Sequence, residues 1–95
     1  MTSRIDCEFE VLKNAGFVGT IFDMEMAWLN ANGGTGATIA DAWAAFLTAR
    51  GIPGPGASLD RRLAWLKSYP PPVESRGTFI DAWKWFWCVR GSATP

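Results

Sequence analysis

Five aspartates recur along this chain at almost regular intervals, and this spacing constrains the fold more than any other feature. The residues are Asp6, Asp23, Asp41, Asp60 and Asp81, separated by 17, 18, 19 and 21 positions. A Ser or Thr precedes each aspartate by two or three positions, and an apolar pair follows it five and six residues later. Gly or Pro ends each of these repeated stretches. Such self-similarity is typical of a repeat architecture, in which one small structural unit is used several times.

Each repeated stretch carries residues that are typical of the start and the end of one short helix. A Ser or Thr at the N-cap accepts hydrogen bonds from free N–H groups of the first turn, and a nearby Asp favours the positive end of the helix dipole. Glycine after the last turn is typical of a C-terminal stop. The predicted caps are Ser3, Thr20, Thr38, Ser58 and Thr78, and the predicted first-turn acids are Asp6, Asp23, Asp41, Asp60 and Asp81.

These five repeated stretches predict an all-α fold of about five short helices. The repeat-like units lie near residues 3–16, 20–33, 38–51, 57–70 and 78–91. Helices of this length are not stable alone in water, so each must bury a face against its neighbours. A chain of 95 residues is the size of one domain. We therefore predict a single helical domain over residues 1–95, as a compact bundle or a short helical-repeat array.

The apolar positions of the repeat predict which face of each helix is buried. Positions are counted from the Asp of each unit. Position +5 holds Val11, Trp28, Phe46, Trp65 and Phe86, and position +6 holds Leu12, Leu29, Leu47, Leu66 and Trp87. Position −1 holds Ile5, Phe22, Ala40, Leu59 and Ile80, and position +2 holds Glu8, Glu25, Trp43, Arg62 and Trp83. The first three positions share one side of a helical wheel and predict the core, while the mixed position +2 is placed at its margin.

The last unit departs from the others in the stretch "WKWFWC", residues 83–88. On the side that is polar or small in the other four units, it carries Trp85, Cys88 and Val89. A helix that is apolar all round is usually buried on all sides. Either the last helix is central and wrapped by the others, or these three residues form an interface with another molecule. Both interpretations stay open at the level of sequence.

No residue pattern indicates catalysis, a cofactor or a metal. Histidine is absent, which excludes His-based acid–base chemistry and Ser-His triads. Cys7 and Cys88 indicate neither a framework of bridges nor a metal spacing, and Cys88 is interpreted as a packing or interface thiol. The stretch "GGTGAT", residues 33–38, follows a helix and lacks the lysine of a phosphate-binding loop, so it is interpreted as a C-cap followed by an N-cap.

Charge and hydropathy limit the classes of partner. Nine basic and nine acidic residues balance, whereas a non-specific nucleic-acid binder needs a basic excess. The N-terminus lacks the apolar segment of a signal peptide, and no apolar run reaches the length of a membrane span. The basic pair Arg61-Arg62 is interpreted as a solvated helix face. We expect no nucleic-acid, membrane or small-molecule partner.

The stretch "GTIFDMEMAWLNANGGTGATIADAWAAFLTARGIPGPGASLDRRLAWLKS" resembles small proteins and segments of tailed bacteriophages. These carry tandem short helices of the form T-φ-x-D-A-φ-x-x-φ-L-x-x-x-G, often with a Trp- and Phe-rich final unit, and the resemblance covers residues 19–91. It implies a non-enzymatic virion component, such as a capsid decoration, head–tail or tail protein, made in the bacterial cytoplasm. Its partners would be other virion proteins or copies of itself. The alternative is a small regulatory module that inhibits or adapts a host protein.

Overall fold

Five helices follow one another along the chain, which confirms the all-α prediction. A computed structural model describes residues 4–95, with side chains from residue 6 onward. The helices are α1 (Arg4–Asn14), α2 (Ile21–Ala31), α3 (Ile39–Ala49), α4 (Leu59–Lys67) and α5 (Phe79–Lys84). A 3₁₀ turn (Val73–Ser75) precedes α5, and α5 runs directly into a π-helical segment (Trp85–Arg90). The described residues contain no β-strand.

Hydroxyl side chains cap the starts of α2 to α5. Thr20, Thr38 and Thr78 each accept a hydrogen bond from the backbone N–H three residues later, at 3.1–3.2 Å. Ser58 accepts the equivalent bond from the N–H of Arg61 at 3.2 Å. In α2 the Asp23 carboxylate also accepts the N–H of Thr20, which completes a capping box. Asp6, Asp41, Asp60 and Asp81 lie in the first turns of their helices, and the predicted cap Ser3 lies outside the described residues.

The stretch from Gly33 to Thr38 is a tight connection between α2 and α3. Gly33 has a φ of +91°, in the region that favours glycine. Gly34 is buried, and its N–H donates to the carbonyl of Leu29 at 2.7 Å. A Cβ on Gly34 would lie 2.7 Å from the carbonyl oxygens of both Leu29 and Ala42. The backbones of α2 and α3 approach so closely here that only glycine fits.

Gly34→Ala is therefore expected to lower the free energy of unfolding by about 1–3 kcal/mol, because two backbone carbonyls must move. The matched control is Gly77→Ala, where an added Cβ meets nothing within 4 Å and φ is not positive. Urea denaturation followed by circular dichroism measures both variants. Equal stabilities of the two variants would contradict the steric argument.

The helices close into a ring. Each helix packs on the next along the chain, and α5 with its π-helical segment returns to α1. The resulting molecule is flattened, with extents of 33 × 31 × 17 Å. The indole of Trp28 lies inside the ring, fully buried, beside aromatic rings from α3, α4, α5 and the π-helical segment. Positions +5 and +6 supply this core, as predicted, except that Val11 is only partly buried.

The prediction that position −1 lies in the core is wrong. Phe22, Leu59 and Ile80 are 75%, 59% and 51% exposed. Position +1 is buried instead, with Met24, Ala42, Arg61 and Ala82 facing inward. Positions +1, +2, +5 and +6 lie on one arc of the helix, centred about 170° from the Asp, and position −1 lies about 90° away. The core-facing stripe is thus rotated relative to the sequence-based placement, and the side chain of Ile5 is outside the described set.

A disulfide joins the two ends of the ring, so the interpretation of Cys88 as a thiol is wrong. The sulfur atoms of Cys7 and Cys88 are bonded, and their Cα atoms lie 5.1 Å apart across 81 positions of sequence. Cys7 lies in α1 and Cys88 in the π-helical segment, which are neighbours only because the ring closes. Two cysteines so far apart in sequence give no indication of this pairing without the three-dimensional arrangement.

Arg61 is buried, so the interpretation of this residue as part of a solvated face is also wrong. Its guanidinium and Nε–H donate to the carbonyls of Ala44, Ile52 and Gly56 and to the hydroxyl of Thr48, at 2.6–3.3 Å. Only 7% of the residue is exposed. The side chain therefore holds the α3–α4 connection, residues 50–58, against the end of α3.

Arg61→Lys is expected to lower the free energy of unfolding by about 2 kcal/mol, because an ammonium group cannot reach these dispersed acceptors. Arg76→Lys is the control, at an exposed arginine whose Nε–H donates one hydrogen bond, to the carbonyl of Pro71, and it should cost no more than about 1 kcal/mol. Thermal and urea unfolding give the comparison. A lysine at position 61 that leaves stability unchanged would mean that water satisfies these carbonyls equally well.

Candidate docking surface

The three residues predicted as an interface do not form one surface. The side chain of Trp85 is partly buried and packs against the core. Cys88 is bonded to Cys7 and lines an open depression of about 410 Å³ together with Glu10 and Asn14. Val89 points into solvent and is 72% exposed. Trp83, Phe86 and Trp87 are buried, so most of the aromatic side chains of "WKWFWC" belong to the core.

The π-helical geometry accounts for part of this separation. A π-helix has a wider turn than an α-helix, so side chains after Lys84 depart from the angular positions of a regular helix. The N–H of Gly91 donates to the carbonyl of Phe86, five residues earlier, at 3.2 Å. Gly91 ends the segment in a left-handed conformation, with a φ of +66°. The sequence-based prediction assumes one continuous α-helix, so it does not include this change in side-chain direction.

A different surface gathers residues from all five helices. A pocket of about 320 Å³ opens where the first two turns of the helices converge, and we call it the N-terminal pocket. Its lining includes position +2 of every repeat, which is Glu8, Glu25, Trp43, Arg62 and Trp83. Ile21, Ile39 and Phe79, each at the first position of its helix, and Phe22 complete the wall. The mixed composition of position +2 was the sequence feature that could have indicated this pocket.

Aromatic rings and paired charges form the wall of the N-terminal pocket. The indole Nε1–H of Trp43 donates to the carboxylate of Glu25 at 3.0 Å. The guanidinium carbon of Arg62 lies 4.7 Å from the ring centre of Trp43 and 5.8 Å from that of Phe79. The Nε–H of Arg62 donates to the carbonyl of Ala57 at 3.0 Å. These contacts fix one cation and one anion in adjacent positions on an aromatic surface.

Partial burial affects the pKa of Arg62 at the wall of the N-terminal pocket. Removal from water lowers the pKa of the Arg62 guanidinium, and the nearby Glu25 carboxylate opposes that effect. Arginine has so high an intrinsic pKa that it remains charged at neutral pH. The wall thus keeps a permanent positive group beside a carboxylate. Such an arrangement favours recognition of a partner with complementary charges.

Exposed apolar side chains lie at the wall of the N-terminal pocket and at the starts of α4 and α5. Phe22 and Ile39 line the N-terminal pocket and still face solvent. Leu59 and Ile80 are also exposed, at the first or second position of α4 and α5. Large apolar side chains that group around a concave site are typical of binding surfaces rather than of ordinary solvent-facing helix ends. We call the N-terminal pocket together with these four side chains the N-terminal face.

No protein-family model, curated protein or solved structure matches this chain. Across residues 4–95, His, Cys, Asp and Glu side chains form no group of three that could hold a metal ion. In the same part of the chain, each helix is too short or too polar to cross a membrane.

Proposed function

We propose that the protein is a non-enzymatic virion component that acts through protein–protein contacts, as a capsid decoration, head–tail or tail accessory subunit. The observation that carries the adhesive role is the N-terminal face, where Phe22 and Ile39 expose apolar side chains at the wall of a concave pocket. Leu59 and Ile80 are exposed at the starts of α4 and α5. Apolar and aromatic residues in such a setting anchor protein interfaces. The virion assignment is supported by the resemblance of the repeats to those of tailed phages.

The disulfide favours this role over the regulatory alternative. Disulfides persist in oxidising surroundings and are rare in the reducing cytosol. A particle released from its host is exposed to an oxidising medium, whereas an inhibitor of a cytosolic host enzyme is not. The Cys7–Cys88 bond would therefore form or persist in the particle and secure a small subunit after release.

The test is the composition of purified particles. We expect mass spectrometry to find the chain in particles separated by density gradient, in a fixed number of copies relative to the major capsid protein. Nonreducing peptide mapping of the same particles should recover the Cys7–Cys88 crosslinked peptide. Particles without the chain, together with a soluble complex between the chain and one host protein, would replace the virion role by the regulatory one.

A further inference from the structure

We infer that the N-terminal face binds a second copy of this chain as a two-fold symmetric dimer, with Phe22 of each copy seated at the N-terminal pocket of the other. The inference rests on the proposed function as an interaction protein, and it names the partner and the surface. Phe22 lies at the wall of the N-terminal pocket and yet is 75% exposed, so its ring is available to a partner. Burial of an aromatic ring in a partner's pocket is a common anchor of interfaces.

The charges of the N-terminal face are self-complementary. A two-fold interface places the same patch on both sides, so the patch must contain both members of any pair that meets across it. The pocket is lined by one basic residue, Arg62, and by two acidic residues, Glu25 and the buried Glu8. Glu25 accepts a hydrogen bond from Trp43, and Arg62 is held by Trp43, Phe79 and Ala57. A patch with one sign of charge would repel its own copy. Because both signs of charge are present, the two faces need not repel each other. An antiparallel arrangement of the two copies places Glu25 of each copy opposite Arg62 of the other.

The size of the molecule suits such a dimer. The flattened molecule presents broad faces of 33 × 31 Å. A stable interface needs about 800 Å² from each partner, and a face of this extent is on the order of that area. The volume of the N-terminal pocket, about 320 Å³, is at the lower end of the range for small-molecule pockets. One aromatic side chain from a partner is an occupant of suitable size.

Sedimentation velocity of the oxidised full-length chain tests the inference. At about 3 μM protein, a Kd near 1 μM would leave about two thirds of the chains in dimers, and a Kd near 30 μM only about one seventh. We expect Phe22→Asp to raise the Kd by at least about 30-fold, the value for a hot-spot residue. An Asp near the start of α2 is favourable for the helix, so circular dichroism should show an intact fold.

An intermolecular nuclear Overhauser effect between Phe22 and Trp83, in a mixture of labelled and unlabelled protein, should mark the interface.

The control is Val73→Asp, which adds the same charge at another exposed apolar side chain, in the 3₁₀ turn. This variant should dimerise like the wild type. A monomeric wild type at the same concentration, or an equal loss of dimer in both variants, overturns the inference. If the wild type is monomeric but present in particles, the proposed function stands and another virion protein occupies the face. If it dimerises but is absent from particles, the virion assignment fails alone.

Discussion

Replacing Trp28 by alanine is expected to lower the free energy of unfolding by about 3–5 kcal/mol, the loss typical of a large buried aromatic side chain. The indole is fully buried. Its ring centre lies 5.1 Å from that of Phe46, 5.3 Å from that of Trp87 and 6.3 Å from that of Trp65. These rings belong to α3, α4 and the π-helical segment, so one side chain joins distant parts of the ring. Removing it leaves a cavity that neighbouring aromatic rings cannot fill without leaving their own contacts.

The hydrogen bond of Trp28 adds to the expected loss. Its Nε1–H donates to the carbonyl of Ala93 at 2.7 Å and holds the C-terminal residues over the core. Trp28→Phe keeps much of the ring but removes this donor, so its stability should lie between those of the wild type and Trp28→Ala. Urea denaturation followed by tryptophan fluorescence and by circular dichroism gives the three values.

Trp85→Ala is the matched control for the burial argument. Trp85 is a tryptophan of the same chain, but its side chain is only partly buried, at the edge of the core. Its replacement removes less buried area and should cost clearly less than the loss at Trp28. Equal losses in Trp28→Ala and Trp85→Ala would show that Trp28 has no special position in the ring.

The sequence predicts the helices well because their boundaries depend on local chemistry. A hydroxyl at Thr38 or Thr78 can reach the N–H three residues later regardless of what packs around it. Positions +5 and +6 are also reliable, since Leu29 and Leu47 are apolar residues within short helices that must bury one face. Local pattern is sufficient for these features.

The angular limits of the buried face depend on neighbours that the sequence does not specify. Phe22 and Leu59 are apolar, yet they lie at helix starts where no neighbouring helix covers them. Arg61 is charged, yet it is buried because the loop before α4 turns its carbonyls toward the guanidinium. In both cases a tertiary arrangement overrides the polarity of the residue. The N-terminal pocket likewise depends on tertiary structure, since its lining comes from five separate helices.

Opening the disulfide is expected to lower the free energy of unfolding by about 4 kcal/mol. In the chain-entropy model a crosslink stabilises by restricting the unfolded chain, and the effect grows with the length of the closed loop. The separation of 81 positions between Cys7 and Cys88 encloses most of the chain. A domain of this size has a total stability of about 5–15 kcal/mol, so the reduced protein would be close to marginal. The difference in urea midpoint with and without a phosphine reductant measures the loss.

The double variant Cys7→Ala/Cys88→Ala separates this effect from other actions of the reductant. It should unfold near the midpoint of the reduced wild type in either buffer, because it has no bond to break. The ring offers a reason for a large loss: α1 meets the π-helical segment only at the point where the chain returns on itself. In a linear array, terminal units can separate independently, whereas here the bond prevents that separation. A double variant as stable as the oxidised wild type would mean that packing between α1 and the π-helical segment closes the ring without the covalent link.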